Sequence, residues 1–194
     1  LAYAGVYDPP SFPLNPRVIP IITDDRYSWN DPRREAEGKQ VAENWLQYAE
    51  NIAFYDYIYG TPYIVPRIFN EQMAENLRYA ADSGAVGFFG EGYPNFGEGP
   101  KWWLTMKLLW NPHQDENELI QEWSRRAVGE QAAADLISYY DFWEKFWKTT
   151  ALESDWYHNW YNSNPRHSFM PFNNASYAAE ISVEDMEFAR SLLE

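Results

Sequence analysis

Residues 51–60, NIAFYDYIYG, and residues 84–92, GAVGFFGEG, flank a stretch with helical spacing from Asn70 to Gly84. Each flanking run is continuously apolar and aromatic, and each holds one carboxylate near its end: Asp56 in the first, Glu91 in the second. Continuous apolar strands alternating with amphipathic helices are the pattern of a parallel sheet buried on both faces. In such sheets the reactive groups collect at the C-terminal strand ends, where both acids fall.

Working outward, LAYAGVY (Leu1 to Tyr7) reads as a strand stopped by Asp8-Pro9-Pro10. VIPIIT (Val18 to Thr23) reads as a second strand, weakened by Pro20, which cannot donate to a ladder. Ile52 to Tyr59 and Ala85 to Phe89 are the third and fourth strands. Glu35 to Asn51 has helical spacing through Val41, Trp45, Tyr48 and Ala49. Asn70 suits the N-cap of a helix bearing Met73, Leu77, Ala80 and Ala81, and Gly84 suits its stop. Pro100 fits the first turn of a helix expected to bury Trp103, Met106 and Trp110 before Asn111-Pro112. Asp115 with Glu118 marks another helix start, Gly129 breaks that helix, and a longer one is expected over about 130–147. The stretch 154–176 reads as an aromatic loop, and Ser182 caps a last helix. Four strands followed mostly by helices fit a small open α/β sheet. They equally fit the last four strands of an eight-stranded barrel. The start inside an apolar run favours the second. The expected fold is therefore α/β: the C-terminal half of a (β/α)8 TIM barrel over residues 1–112, followed by several α-helices over 113–194.

Among the 194 residues, 19% are aromatic, including 10 Trp and 15 Tyr, which is enough to line a sugar site as well as a core. The net charge of −14 repels a phosphate backbone or an anionic membrane surface, so nucleic acid is not an expected partner. No apolar run approaches the roughly 20 residues of a membrane span. With no cysteine, a disulfide scaffold and a thiolate metal site are both ruled out. His113, His158 and His167 have no metal-ligand spacing. GEGYPNFGEG (90–99) lacks the Lys-Ser/Thr of a phosphate loop, and no G-x-S-x-G elbow occurs. No metal or organic cofactor is implied.

Glycoside hydrolysis needs two carboxyl groups, one protonated to assist the leaving oxygen and one to attack the sugar or activate water. Asp56, Glu91 and the pair Asp24-Asp25 fall at inferred strand ends. Asp56, inside an apolar strand, is expected to point into the barrel mouth, because burial against a helix without a partner is costly. Its structural alternative is pairing with Arg26 or Arg67. Glu91 lies in a Gly-rich turn that lets backbone approach a ligand; its alternative is a solvated loop acid, as for Glu98. Adjacent acids at a strand end point to opposite sides, so at most one of Asp24 and Asp25 faces the pocket. Asp24, Arg26 and Trp29 could bind sugar hydroxyls and stack, or form a turn cluster. Asp56, Glu91 and Asp25 are the catalytic candidates. Trp29, Tyr57, Tyr59 and Tyr93 are the stacking candidates, and Trp103, Trp110, Trp123, Trp143 and Trp147 are expected in the core.

YDYIYG (55–60), N-x-R-Y-A-A-D-S-G-A-V-G-F-F-G-E (76–91) and W-L-T-M-K-L-L-W-N-P (103–112) together resemble the domain-of-unknown-function family 4838. That family is similar to TIM-barrel glycoside hydrolases of the β-hexosaminidase and α-glucuronidase type. The resemblance runs from about Leu1 to Trp147. It implies that Leu1, Val18, Ile52 and Ala85 open the fifth to eighth barrel strands, with the first half of the barrel and the general acid upstream. It further implies a carbohydrate substrate and a secreted or periplasmic setting. Two rivals stand beside a hydrolase: a non-catalytic carbohydrate-binding protein on the same fold, and a structural module in which the aromatic loop Trp156 to Phe172 docks another domain.

Overall fold

The chain enters its sheet directly after Pro20, whose carbonyl accepts from the Ala53 amide at 2.9 Å while its ring leaves no N–H to pair. The computed structural model describes residues 1–93 and 98–194; part of the Gly-rich stretch 90–99 thus lies outside the described residues. Three strands, β1 (Ile21–Asp24), β2 (Ala53–Tyr57) and β3 (Gly87–Glu91), form a parallel sheet in the order β1-β2-β3. The register aligns Thr23, Tyr55 and Phe89 in one row and Asp24, Asp56 and Gly90 in the next. Of the expected first strand only a parallel bridge from Ala2 to Ile22 forms. Ala4, at φ 49°, turns the chain out of extended conformation into a 3-10 turn over Ala4–Val6.

Helices α1 (Pro32–Leu46) and α2 (Asn70–Asp82) connect the strands. α1 starts at the Asp31 N-cap, whose side chain accepts from the Arg33 amide. α2 includes Asn70 as its first residue rather than its cap, and Phe69 precedes it without a side-chain cap bond. Both helices cover the same side of the sheet: Ile22, Phe54 and Phe88 pack with Ala42 and Trp45 of α1 and Tyr79 and Ala80 of α2. α1 approaches closely because Gly38 faces Trp29, where a Cβ would meet the indole at 2.5 Å. The strands run in sequential order, without the reversal of a doubly wound sheet.

After the sheet come α3 (Lys101–Trp110), α4 (Glu116–Val128), α5 (Ala133–Lys148), α6 (Thr150–Glu153), α7 (Asp155–Tyr161) and α8 (Val183–Ser191). Asp115 caps α4 with two amide contacts, and Ser182 with Asp185 forms a full capping box on α8. The main core joins Tyr27, Tyr57, Ile68 and Leu104 to Trp143, Trp147, Trp156 and Tyr177, so sheet and trailing helices share it. Two expectations are corrected. Trp110 and Met106 of α3 are 91% and 66% exposed, because the stripe through Lys101, Leu104, Thr105 and Leu108 faces inward instead. The stretch 154–176 is not all loop. Ser154 accepts from the Tyr157 amide to cap α7, which buries Trp156, Tyr157 and Trp160. These rings and Met170 pack against their own chain.

Candidate functional site

Carboxylates gather at the C-terminal end of the sheet, and their surroundings divide them sharply. Asp24 is 2% exposed; it accepts from Arg34 Nη2 at 2.8 Å on both oxygens and from Trp29 Nε1 at 2.9 Å. Asp25, fully buried, pairs with Arg67 and accepts from the Met170 amide at 3.1 Å, while its own amide donates to Ser168. The expected alternation of these two acids is present: one meets α1, the other holds the 168–170 loop across the sheet end.

Asp56 shares the row of Asp24 and lies on the same side as Phe54, toward the helices. The inward orientation expected from sequence is therefore corrected. Its Oδ1 accepts from the amides of Arg26 at 3.0 Å and Tyr57 at 2.8 Å, and Arg26 Nη1 stands 3.9 Å from Oδ2. Arg26 itself lies over the Phe54 ring at 4.2 Å and donates to the carbonyls of Tyr55 and Ile22. Burial pushes the Asp56 carboxyl up to about 6, against the pull of Arg26. Burial likewise raises Asp25, against Arg67. All three acids are sealed, Asp24 and Asp56 on the helix side with Arg26 and Trp29, and Asp25 opposite them with Arg67; Trp29 is 2% exposed and offers no open stacking face.

The other side of the sheet is different. Tyr55, Tyr57, Phe89 and Glu91 project from it in alternation, with the Tyr55 and Phe89 rings stacked at 4.8 Å. Glu91 Oε2 accepts from the Tyr55 hydroxyl at 2.5 Å, and Oε1 accepts from the Tyr93 hydroxyl at 3.3 Å. Burial first, and the Glu91 carboxylate second, raise Tyr55, so its hydroxyl keeps its proton and donates. Tyr57 and Tyr59 are buried; Tyr57 meets Phe169 edge-on at 5.9 Å, and Tyr59 meets Phe172 at 6.0 Å and Tyr93 at 5.9 Å. A cleft of about 290 Å³ opens between Tyr59, Thr61, Pro62, Glu91, Tyr93 and Phe172.

Glu98, expected as a solvated acid, is 2% exposed. It accepts from the Gly60 amide at 2.6 Å and pairs with Lys101 Nζ at 2.9 Å, anchoring the turn that carries Thr61 and Pro62. Burial draws Lys101 down to about 8. Of the sequence candidates, the structure brings together Glu91, Tyr57, Tyr59 and Tyr93, and gathers Asp24, Asp25, Asp56, Arg26 and Trp29 elsewhere. Tyr55, Phe89 and Phe172 were missed. Period two in YDYIYG was the available signal for Tyr55, since it puts Tyr55 and Tyr57 on the side opposite Asp56. Among the described residues, no group of three His, Asp or Glu side chains is placed to hold a metal ion.

A family model for a domain of unknown function, DUF4838, matches residues 1–141. The chain belongs to the DUF4838 family. The DUF4838 match takes in the sheet, both connecting helices and all but the last part of α5. Phe169 and Phe172, which extend the aromatic wall of the cleft, follow the DUF4838 match. No curated protein and no solved structure matches the chain.

Proposed function

We propose that this chain is the saccharide-binding C-terminal part of a glycoside-hydrolase-like (β/α)8 barrel, with Glu91 as the carboxylate that contacts the sugar. The carrying observation is the contrast at the sheet end. Glu91 alone among the four strand-end acids stands half-buried in an aromatic cleft, hydrogen-bonded by Tyr55 rather than neutralised by arginine. Flat tyrosine and phenylalanine rings suit the apolar C–H faces of a pyranose, and the carboxylate suits its hydroxyls.

Three features support the barrel. Four parallel segments, at Ala2, β1, β2 and β3, follow one another in sequence order. The helices connecting β1, β2 and β3 lie on one side, as in a barrel wall. Val86, just before β3, and Met106, Leu109 and Trp110 of α3, the helix that follows it, are exposed, an apolar margin suited to further βα units. In that barrel Tyr55, Tyr57, Phe89 and Glu91 would face the lumen and its mouth. Asp56, Asp25 and Asp24 would position the strand ends rather than meet substrate. The setting in keeping with a polysaccharide substrate is secreted or periplasmic.

A non-catalytic binding role for the segment by itself has its own support: among the described residues the cleft contains one carboxylate, whereas hydrolysis needs two. The second would come from the remainder of the barrel. The test is release of reducing sugar from an oligosaccharide panel by a parent chain carrying this segment, beside its Glu91→Gln variant. Retained affinity with turnover lowered by orders of magnitude identifies a hydrolase using Glu91. Binding without turnover in either protein identifies a binding module. No binding of any saccharide by the folded protein overturns the proposal.

A further inference from the structure

The cleft combines aromatic rings with a carboxylate and, among the described residues, has no counter-charge. Tyr59, Tyr93 and Phe172 set rings at three inclinations, Tyr59 lying at 85° to Phe172 and 49° to Tyr93. Tyr93 is 55% exposed and Phe172 37%. Among the described residues Glu91 forms no ion pair, and among them neither lysine nor arginine lines the cleft. A carboxylate has about four lone-pair sites, and the two tyrosine hydroxyls use two of Glu91's. The nearby guanidinium of Arg67 is fully buried, beneath Tyr59 and Tyr63 and committed to Asp25. The faces of aromatic rings are negative, and rings grouped around a carboxylate make a receptor for a cation. An anionic sugar would meet uncompensated repulsion there.

Building on the saccharide reading, we propose that the cleft selects glycans with a free, protonated amino sugar. The sugar's C–H face lies on Tyr93 and Phe172, and its ammonium meets the open oxygen positions of Glu91. The volume of about 290 Å³ is at the small end of ligand clefts, which run from about 300 Å³, and suits one ring. The chain's net charge of −14 adds long-range attraction for a polycationic glycan and opposes a polyuronate.

Calorimetric titration of this chain with glucosamine oligomers, N-acetylglucosamine oligomers and galacturonate oligomers of equal length tests the selection. Glucosamine oligomers should bind roughly five- to ten-fold more tightly than the acetylated ones, with galacturonate weakest. Salt should reduce the difference. Glu91→Gln should bring the two amino-sugar series to equal affinity, and Tyr93→Ala, at an exposed position, should weaken both. Acetylated or uronate oligomers binding as tightly as glucosamine oligomers overturns the selection while leaving the saccharide reading in place. No oligomer binding to a protein with cooperative thermal unfolding overturns both.

Discussion

The two sides of one short sheet treat the same chemical group in opposite ways. On the helix side Asp24 and Asp56 are sealed under α1 and α2, each beside an arginine from another part of the chain. On the opposite side Glu91 is half-buried, faces aromatic rings, and is held by tyrosine hydroxyls. A strand-end carboxylate is thus no site by position alone. Whether it can meet a ligand depends on what else is brought to it. Buried ion pairs give little net stability, since desolvation offsets attraction, but they make removal of one partner expensive. The sealed carboxylates should therefore govern folding, and the open one should govern binding.

The largest expected effect is on a sealed ion pair, that of Arg67 with Asp25 beside the 168–170 loop. Arg67→Met leaves Asp25 buried with the Met170 amide as its remaining donor. It should cost about 3–5 kcal/mol of unfolding free energy, measured by urea denaturation at neutral pH. A cost under about 1 kcal/mol would mean that the Asp25 site is wet, and would erase the distinction between sealed and open carboxylates. A second prediction concerns pH. The Asp56 carboxyl is raised from an ordinary 3.8 to about 6, so the folded chain holds this proton more tightly than the unfolded one. The stability this contributes is full below about 3.8 and is lost as pH rises through about 6. Asp56→Asn removes that titration. The difference between wild-type and variant unfolding free energies should shift by up to about 3 kcal/mol across this window, in favour of the variant as pH rises. A difference that stays flat would show the carboxyl to be unperturbed.

Parts of this arrangement were legible and parts were not, for identifiable reasons. Parallel strands at β1, β2 and β3 follow from continuous apolar runs separated by helical spacing. The opposed directions of Asp24 and Asp25 follow from strand geometry. The side taken by Asp56 was hidden because its compensation comes from Arg26, thirty residues earlier. Sequence could name that arginine as a partner but could not weigh it against the barrel mouth. Trp110 was misplaced because α3 has large apolar residues on every stripe, and the pattern cannot choose which stripe packs. α7 was missed because DWYHNWY is poor in strong helix formers; tertiary burial of Trp156, Tyr157 and Trp160 overrides weak propensity there. For the site, Glu91 and its tyrosines were within reach of the sequence. The sealing of the three aspartates was not, since it depends on contacts between distant segments.

The smallest effect on stability is expected on the open side, where the comparison is sharpest. Tyr55→Phe removes a hydroxyl that donates to Glu91 at 2.5 Å but keeps the ring stacked on Phe89. Glu91 is half-buried and water can replace the lost donor, so the cost should be within about 1 kcal/mol. Ligand affinity should respond more than stability, because the carboxylate loses the bond that fixes its orientation before a sugar arrives. Urea denaturation and calorimetric titration on the same variant separate the two quantities. A large stability loss with unchanged affinity would make Tyr55 and Glu91 a structural pair, and would place the open side in the same category as the sealed one. Small stability loss with weakened affinity is the expected result, and it follows from a site organised by side chains that the fold does not otherwise require.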